Sequence, residues 1–172
     1  VNSLPPLMAG TAGGNTTCVE IDVAGETIIL DAGTGIQELG RVLMGGPCGR
    51  GEGRLHLIFS HAHWDHIQGF PFFVPAFVPG NHITIYSVHD MESVLRSQQA
   101  FRTFPVAFDR EQAEEEERRY ESASGTSLVR PIPYKQAHRE FVHIEAGDVF
   151  NIGPVSIEAA LNIHDGDAYA YR

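Results

Sequence analysis

Three imidazoles and a carboxylate fall within the short stretch His61-Ala62-His63-Trp64-Asp65-His66, one residue after the apolar run Leu55-His56-Leu57-Ile58-Phe59. Imidazole nitrogen and carboxylate oxygen are donors that bind divalent cations, whereas a core holding these groups without a cation would have to find a hydrogen-bond partner for each of them. The cluster is therefore read as a metal site. In an extended segment side chains alternate faces, so His61 and His63 point the same way and can hold one ion between them. Asp65 and His66 are neighbours, and if the chain turns after Trp64 they face a second point close to the first. Two ions are then conceivable. The helical zinc pattern, with histidines four apart, is not offered around His61. Mixed nitrogen and oxygen donors favour zinc, with manganese and iron as the other candidates.

The elements that must position this cluster follow from local pattern. Arg54 to Phe59 is short, apolar and partly alternating, which predicts a buried strand that delivers the ligands at its C-terminal end. Upstream, Thr16 to Val23 alternates as a half-buried strand, Ala24-Gly25-Glu26 turns, and Thr27 to Leu30 returns as the second arm of a hairpin. Asp31 closes that arm and is followed by Gly33 and Gly35, which allow the backbone to approach closely. Taken alone, Asp31-Ala32-Gly33 is also ordinary turn chemistry. Ile36, Leu39 and Leu43 fall at helical spacing between Gly35 and Met44, Gly45-Gly46-Pro47 ends that helix, and Gly49 to Gly53 is a loop.

After the cluster, Gly69 to Gly80 is apolar but interrupted by Pro71, Pro75 and Pro79. It predicts at most a short helix, packed into the domain and covering one side of the site. His82 to Ser87 reads as a strand, and Met91 to Ala100 as a helix capped near Asp90. Residues 101–135 form an insertion-like segment whose run from Glu111 to Glu121 predicts a solvated helix, acidic at its start and basic later. Glu140 to Glu145, Asp148 to Ile152 and Pro154 to Leu161 are the last strands, with turns at Gly147 and Gly153. His82, His89, His138 and His143 lack ligand spacing and are read as structural or surface residues.

The 172 residues suit a single domain able to bury a real core, and 42% hydrophobic with 20% charged residues is ordinary for a soluble globular chain. A formal net charge of −10, with 12 Lys and Arg in total and Lys135 the only lysine, disfavours a general nucleic-acid surface. Small anionic substrates remain compatible, because bound divalent cations dominate the field around them. No apolar run reaches membrane-spanning length. Cys18 and Cys48 are far apart without ligand spacing and read as ordinary thiols, which suits a cytoplasmic location.

His61-Ala62-His63-Trp64-Asp65-His66 resembles the H-x-H-x-D-H signature of the metallo-β-lactamase superfamily. Gly13-Gly14-Asn15-Thr16-Thr17-Cys18-Val19-Glu20-Ile21 and Ile29-Leu30-Asp31-Ala32-Gly33-Thr34-Gly35 are similar to its two-strand opening and first aspartate motif. The resemblance extends from about Gly10 to Arg172 outside the insertion-like segment. It leans toward the phosphodiesterase and ribonuclease Z-like branches more than the true β-lactamases. It implies an α/β fold, an αββα sandwich of two sheets between helices whose second half is incomplete in this chain. It also implies that His61, His63 and a later histidine bind one ion while Asp65 and His66 contribute to a second. The later histidine is His164, which follows an apolar strand and precedes a turn. Asp31 would accept a hydrogen bond from a ligand imidazole, fixing its tautomer and raising its basicity.

Two departures accompany the resemblance. Asp165-Gly166-Asp167 forms an acidic turn after His164, read as structural rather than as a proton shuttle. The superfamily also completes its two-ion site with an aspartate and a histidine well beyond the third histidine, whereas only residues 165–172 follow His164. The chain is a piece of a longer protein, or completes its site differently, or holds one ion. Its final strand is then left as an open edge, which calls for further sequence or a partner chain such as a second copy in a homodimer. The expected activity is metal-dependent hydrolysis through a metal-activated water, with Asp65 both ligating and orienting the nucleophile. A phosphodiester is the leading substrate, with lactones and thioesters behind it. The competing expectation is a noncatalytic metal-binding or assembly module on the same fold.

Overall fold

A computed structural model describes residues 14–127, 136–164 and 167–172 of the chain. Strands β1 (Val19–Val23) and β2 (Glu26–Leu30) form the expected hairpin, pairing antiparallel with Val23 opposite Glu26. Its turn places Ala24 and Gly25 at positive φ, as a two-residue hairpin that matches strand twist requires. Helix α1 (Gly35–Leu43) then leads through a short 3-10 turn at Pro47–Arg50 into β3 (Arg54–Ile58). The helical turn α2 (Trp64–Ile67) follows, and the proline-broken stretch makes two 3-10 turns, Phe70–Phe72 and Val74–Phe77. Strand β4 (His82–Ser87) and helix α3 (Met91–Gln98) come next, the Asp90 carboxylate accepting from the Ser93 N–H at the helix start.

Helix α4 (Arg110–Ser124) is capped by Asp109, whose carboxylate accepts from Gln112 N–H. It runs beyond Glu121, so Arg118 and Arg119 stand within the helix and its last turn has no basic residue. The dipole complement expected from its charge pattern is therefore present only at the acidic start. Strands β5 (His138–His143), β6 (Val149–Ile152), β7 (Val155–Leu161) and β8 (Tyr169–Tyr171) complete the described chain.

The first sheet has the order β1-β2-β3-β4-β5, with β2 to β5 mutually parallel. The second, β6-β7-β8, is antiparallel. Alternation sorts the first sheet's side chains into two cores. Ile29, Leu57, Ile83 and Ile85 face the helices, where they meet Ile36, Phe70, Phe73, Leu95 and Phe108. Ile28, Ile58 and Tyr86 face the second sheet and meet Ile152, Ile157 and Ala159. Burial on both faces is what parallel strands require, and β4 is accordingly buried from Ile83 to Ser87 even though Thr84 and Ser87 are polar. The molecule is thus a helix layer, a mostly parallel sheet and a second sheet, the first half of the expected sandwich with part of the second.

Phe70 and Phe73, both fully buried, pack with α1 inside the helix-side core. The Gly69 to Gly80 stretch is accordingly core rather than pocket wall along these residues. Strand β5 begins at His138, two residues before the expected start at Glu140, because β4 extends down to His82 and the pairing His82 with His138 prolongs the ladder.

Candidate metal centre

All the candidate ligands lie beyond the C-terminal ends of β2 and β3, the edge of a parallel sheet where loops converge and ligands bind. Strand β3 gives up its ladder gradually: Phe59 N–H still donates to Tyr86 O at 3.0 Å. At Ser60 the pairing changes partner, its N–H donating to Asp31 Oδ1 at 2.8 Å while its carbonyl accepts from Tyr169 N–H at 2.9 Å. The Tyr171 hydroxyl donates to Phe59 O at 2.7 Å. Strand β8 thereby ties the second sheet to the residues that launch the histidine cluster.

Asp31 is buried and sits at φ 61°, in the left-handed region. Asparagine and aspartate enter that region more readily than most residues. This conformation turns the chain out of β2 with Asp31 N–H donating to Ile58 O at 2.9 Å. Ala32 N–H then donates to His66 O at 2.7 Å, and Gly69 N–H to Ala32 O at 2.8 Å, lacing the aspartate loop to α2. Gly33 is a point of close approach: a Cβ there would lie 2.5 Å from each of Asp65 O, Thr16 Oγ1 and Thr17 O. Two of those atoms are backbone, so relief requires the loops to part. Gly33→Ala is expected to cost about 1–3 kcal/mol of stability, the range for forced overpacking. Urea unfolding of the metal-free protein checks this, and an unchanged midpoint would contradict the packing described.

His61, His63 and His164 come together, each offering a nitrogen such that the three atoms lie within 4.8 Å of one another. His61 is buried, whereas His63 and His164 are exposed, so the trio opens to solvent on one side. Ring centroids are 4.5 Å apart for His61 and His63, 5.0 Å for His61 and His164, and 5.4 Å for His63 and His164. The rings meet edge to face rather than stacking. His61 Nδ1 lies 3.0 Å from Ser60 Oγ, while His61 Nε2 is fully buried and has no hydrogen-bond partner among the described residues. A buried imidazole nitrogen without a partner is costly unless something occupies its lone pair. Burial, and then the neighbouring His66 and His63, lower the His61 pKa from its ordinary value, against an opposing pull from Asp31. The imidazole is thus favoured in its neutral, ligating form. The trio fits a divalent cation.

Asp65 and His66 stand beside the trio, with the His61 and His66 ring centroids 4.0 Å apart. Asp65 Oδ2 is 3.5 Å from His66 Nε2, and the Asp65 side chain is 60% exposed. Among the described residues no third ligand joins this pair within the same reach. The opposite nitrogen of His66, Nδ1, lies 2.8 Å from Asp31 Oδ2, so the ligand that Asp31 contacts directly is His66.

Two residues that spacing did not single out also belong here. Ser60 stands between an apolar run and the first histidine, carries no typical metal donor, and gains its contacts only through the Asp31 loop. His89, read from sequence as structural or surface, has its Nε2 3.1 Å from Asp167 O, in the loop that follows His164. Asp167 is itself at φ 54°, and the other two residues of the expected turn, Asp165 and Gly166, lie outside the described residues.

A mostly parallel sheet facing an antiparallel one, with histidines gathered past the parallel strand ends, defines a two-sheet sandwich with a candidate metal site. Among solved structures the chain is similar to the metallo-β-lactamase fold protein YhfI from Bacillus subtilis, with a TM-score of 0.53 and 19% identity over 91% of this chain and 49% of that one. The chain has the metallo-β-lactamase fold. Also similar are human tRNase Z, short form (TM-score 0.49, 15% identity, 91% of this chain and 57% of that one) and the subclass B3 metallo-β-lactamase MEM-A1 from a soil metagenome library (TM-score 0.47, 19% identity, 91% and 50%). The chain spans about half the length of these structures. Neither the family models nor the curated proteins provide a match.

Proposed function

We propose that this chain carries the first-ion centre of a metal-dependent hydrolase, with zinc as the preferred ion and a phosphodiester as substrate. The observation that supports this most is the convergence of His61, His63 and His164, with His61 Nε2 buried and unpartnered among the described residues. A bound divalent ion would supply Lewis acidity toward a phosphoryl or carbonyl oxygen and a water acidified toward neutrality. The chain's own residues do the rest. His61 anchors the centre from the core, and His63 and His164 leave its solvent side open to a small molecule. Asp65, an exposed carboxylate next to His66, can accept a proton from an attacking water and fix its orientation.

The H-x-H-x-D-H resemblance to the phosphodiesterase and ribonuclease Z-like branches supports the phosphodiester over a lactone or thioester. The unpaired thiols Cys18 and Cys48 support a cytoplasmic location. No helix among the described residues is long and apolar enough to cross a membrane.

The lack of a third described ligand at Asp65 and His66 favours one alternative, a metal-binding module without turnover. Hydrolysis of bis(p-nitrophenyl) phosphate, compared with a chromogenic lactone and a thioester, separates the two. The proposal expects phosphodiester turnover that stops on chelation and returns with zinc or manganese. Turnover indifferent to chelation would overturn the metal mechanism, and ion binding without turnover on any substrate would favour the module.

A further inference from the structure

One carboxylate, Asp31, lies close to two of the clustered imidazoles in different ways. His66 Nδ1 is 2.8 Å from Asp31 Oδ2, a direct contact. His61 reaches Asp31 only through Ser60, whose Oγ is 3.0 Å from His61 Nδ1, 2.8 Å from Asp31 Oδ2 and 3.0 Å from Asp31 Oδ1. Proton bookkeeping assigns the direction of each bond. A carboxylate offers only acceptors, while a hydroxyl has one proton and two lone pairs. Were the Ser60 proton pointed at His61, the hydroxyl oxygen would face two carboxylate oxygens at contact distance with no hydrogen between them. The Ser60 O–H therefore donates to Asp31, and its lone pair accepts from His61 Nδ1–H. His66 Nδ1, 3.2 Å from the same hydroxyl, gives its proton to the nearer Asp31 Oδ2.

We propose that Ser60 is a positioning residue, the middle member of a carboxylate–hydroxyl–imidazole relay that locks His61 in its Nδ1–H tautomer. That tautomer leaves the Nε2 lone pair free, and Nε2 is the buried nitrogen without a described partner. Asp31 then sets the tautomer of both histidines, one directly and one through Ser60. Ser60 is itself held at both backbone groups, by Asp31 Oδ1 at its N–H and by Tyr169 N–H at its carbonyl. The hydroxyl consequently has little freedom to choose other partners. Hydrogen bonds that fix a ligand imidazole typically carry a 10–100-fold effect on metal affinity.

The affinity half of this proposal rests on the metal reading of the trio; the tautomer half does not. Long-range nitrogen-15 NMR of the metal-free wild-type protein at neutral pH reads the His61 tautomer directly, and competition with a chromophoric chelator reads cobalt(II) affinity. The expected result is Nδ1–H at His61 in the wild type. Ser60→Ala should lose that preference and about tenfold in cobalt affinity, with Ser60→Thr, which keeps a hydroxyl, retaining both. An Nε2–H tautomer in the wild type would overturn the relay without any variant having to fold. So would a folded Ser60→Ala protein with unchanged tautomer and affinity. A wild type showing Nδ1–H but taking up no cobalt would support the relay while overturning the functional reading.

Discussion

His63→Ala is expected to lower phosphodiester turnover by roughly 10³-fold, since metal activation supplies several kcal/mol of transition-state stabilisation and each 1.36 kcal/mol is a factor of ten. His63 is an informative residue to remove because, unlike His61, it is exposed. Its loss leaves no cavity and no buried polar group, so the metal-free variant should unfold within about 0.5 kcal/mol of the wild type, the usual range for surface substitutions. The difference should emerge only with metal present. An ion that binds the native state alone at 100 times its dissociation constant adds about 2.7 kcal/mol of stability. Wild-type protein should gain this on titration with zinc, and His63→Ala should gain little at the same concentration. Thermal or urea unfolding with and without zinc measures both effects. Equal zinc stabilisation of the two proteins would remove His63 from the centre.

Asp31→Ala should have the largest effect on the metal-free protein, a loss of about 3 kcal/mol. The buried carboxylate accepts from Ser60 N–H at 2.8 Å and from the Ser60 hydroxyl at 2.8 Å, and it lies 2.8 Å from His66 Nδ1. Its removal strands several donors in a half-buried site, each worth about 1–3 kcal/mol when left unsatisfied, with relaxation and water recovering part of the sum. Alanine must also adopt the φ of 61° that Asp31 holds, which adds about 1 kcal/mol. Asp31→Asn separates the two contributions. Asparagine tolerates the left-handed backbone, but its amide has one oxygen where three donors need two, so its stability should fall between wild type and Asp31→Ala. Urea unfolding orders the three proteins. An Asp31→Ala midpoint equal to that of the wild type would show that the loop is held by something other than this carboxylate.

The candidate cluster stands out in the sequence because three imidazoles and a carboxylate seldom share so short a stretch, whereas the approach of His164 to His61 and His63 is seen only in the fold. The strands could be read because β3 and β4 are short segments carrying aliphatic residues at close spacing, Leu55, Leu57 and Ile58 in one and Ile83 and Ile85 in the other. Element ends were less legible, for reasons that lie far along the chain. Strand β1 starts at Val19 rather than Thr16 because Thr16 N–H donates to Thr34 Oγ1 and Thr17 O accepts from Gly33 N–H, drawing those residues into the aspartate loop. The division of labour between His61 and His66 was hidden altogether. It depends on a left-handed Asp31 reaching Ser60, 29 residues away, and local spacing carries no trace of that contact. The role of His89 depends on an equally distant backbone carbonyl, that of Asp167.

The proposed function requires that His61, His63 and His164 together hold an ion. Its most direct test is the metal content of the purified chain after dialysis against metal-free buffer, measured by inductively coupled plasma mass spectrometry beside a variant with all three histidines replaced by alanine. At least one divalent ion per wild-type chain is expected, and none in the variant. A wild type that retains no ion, or a variant that retains as much, would contradict it.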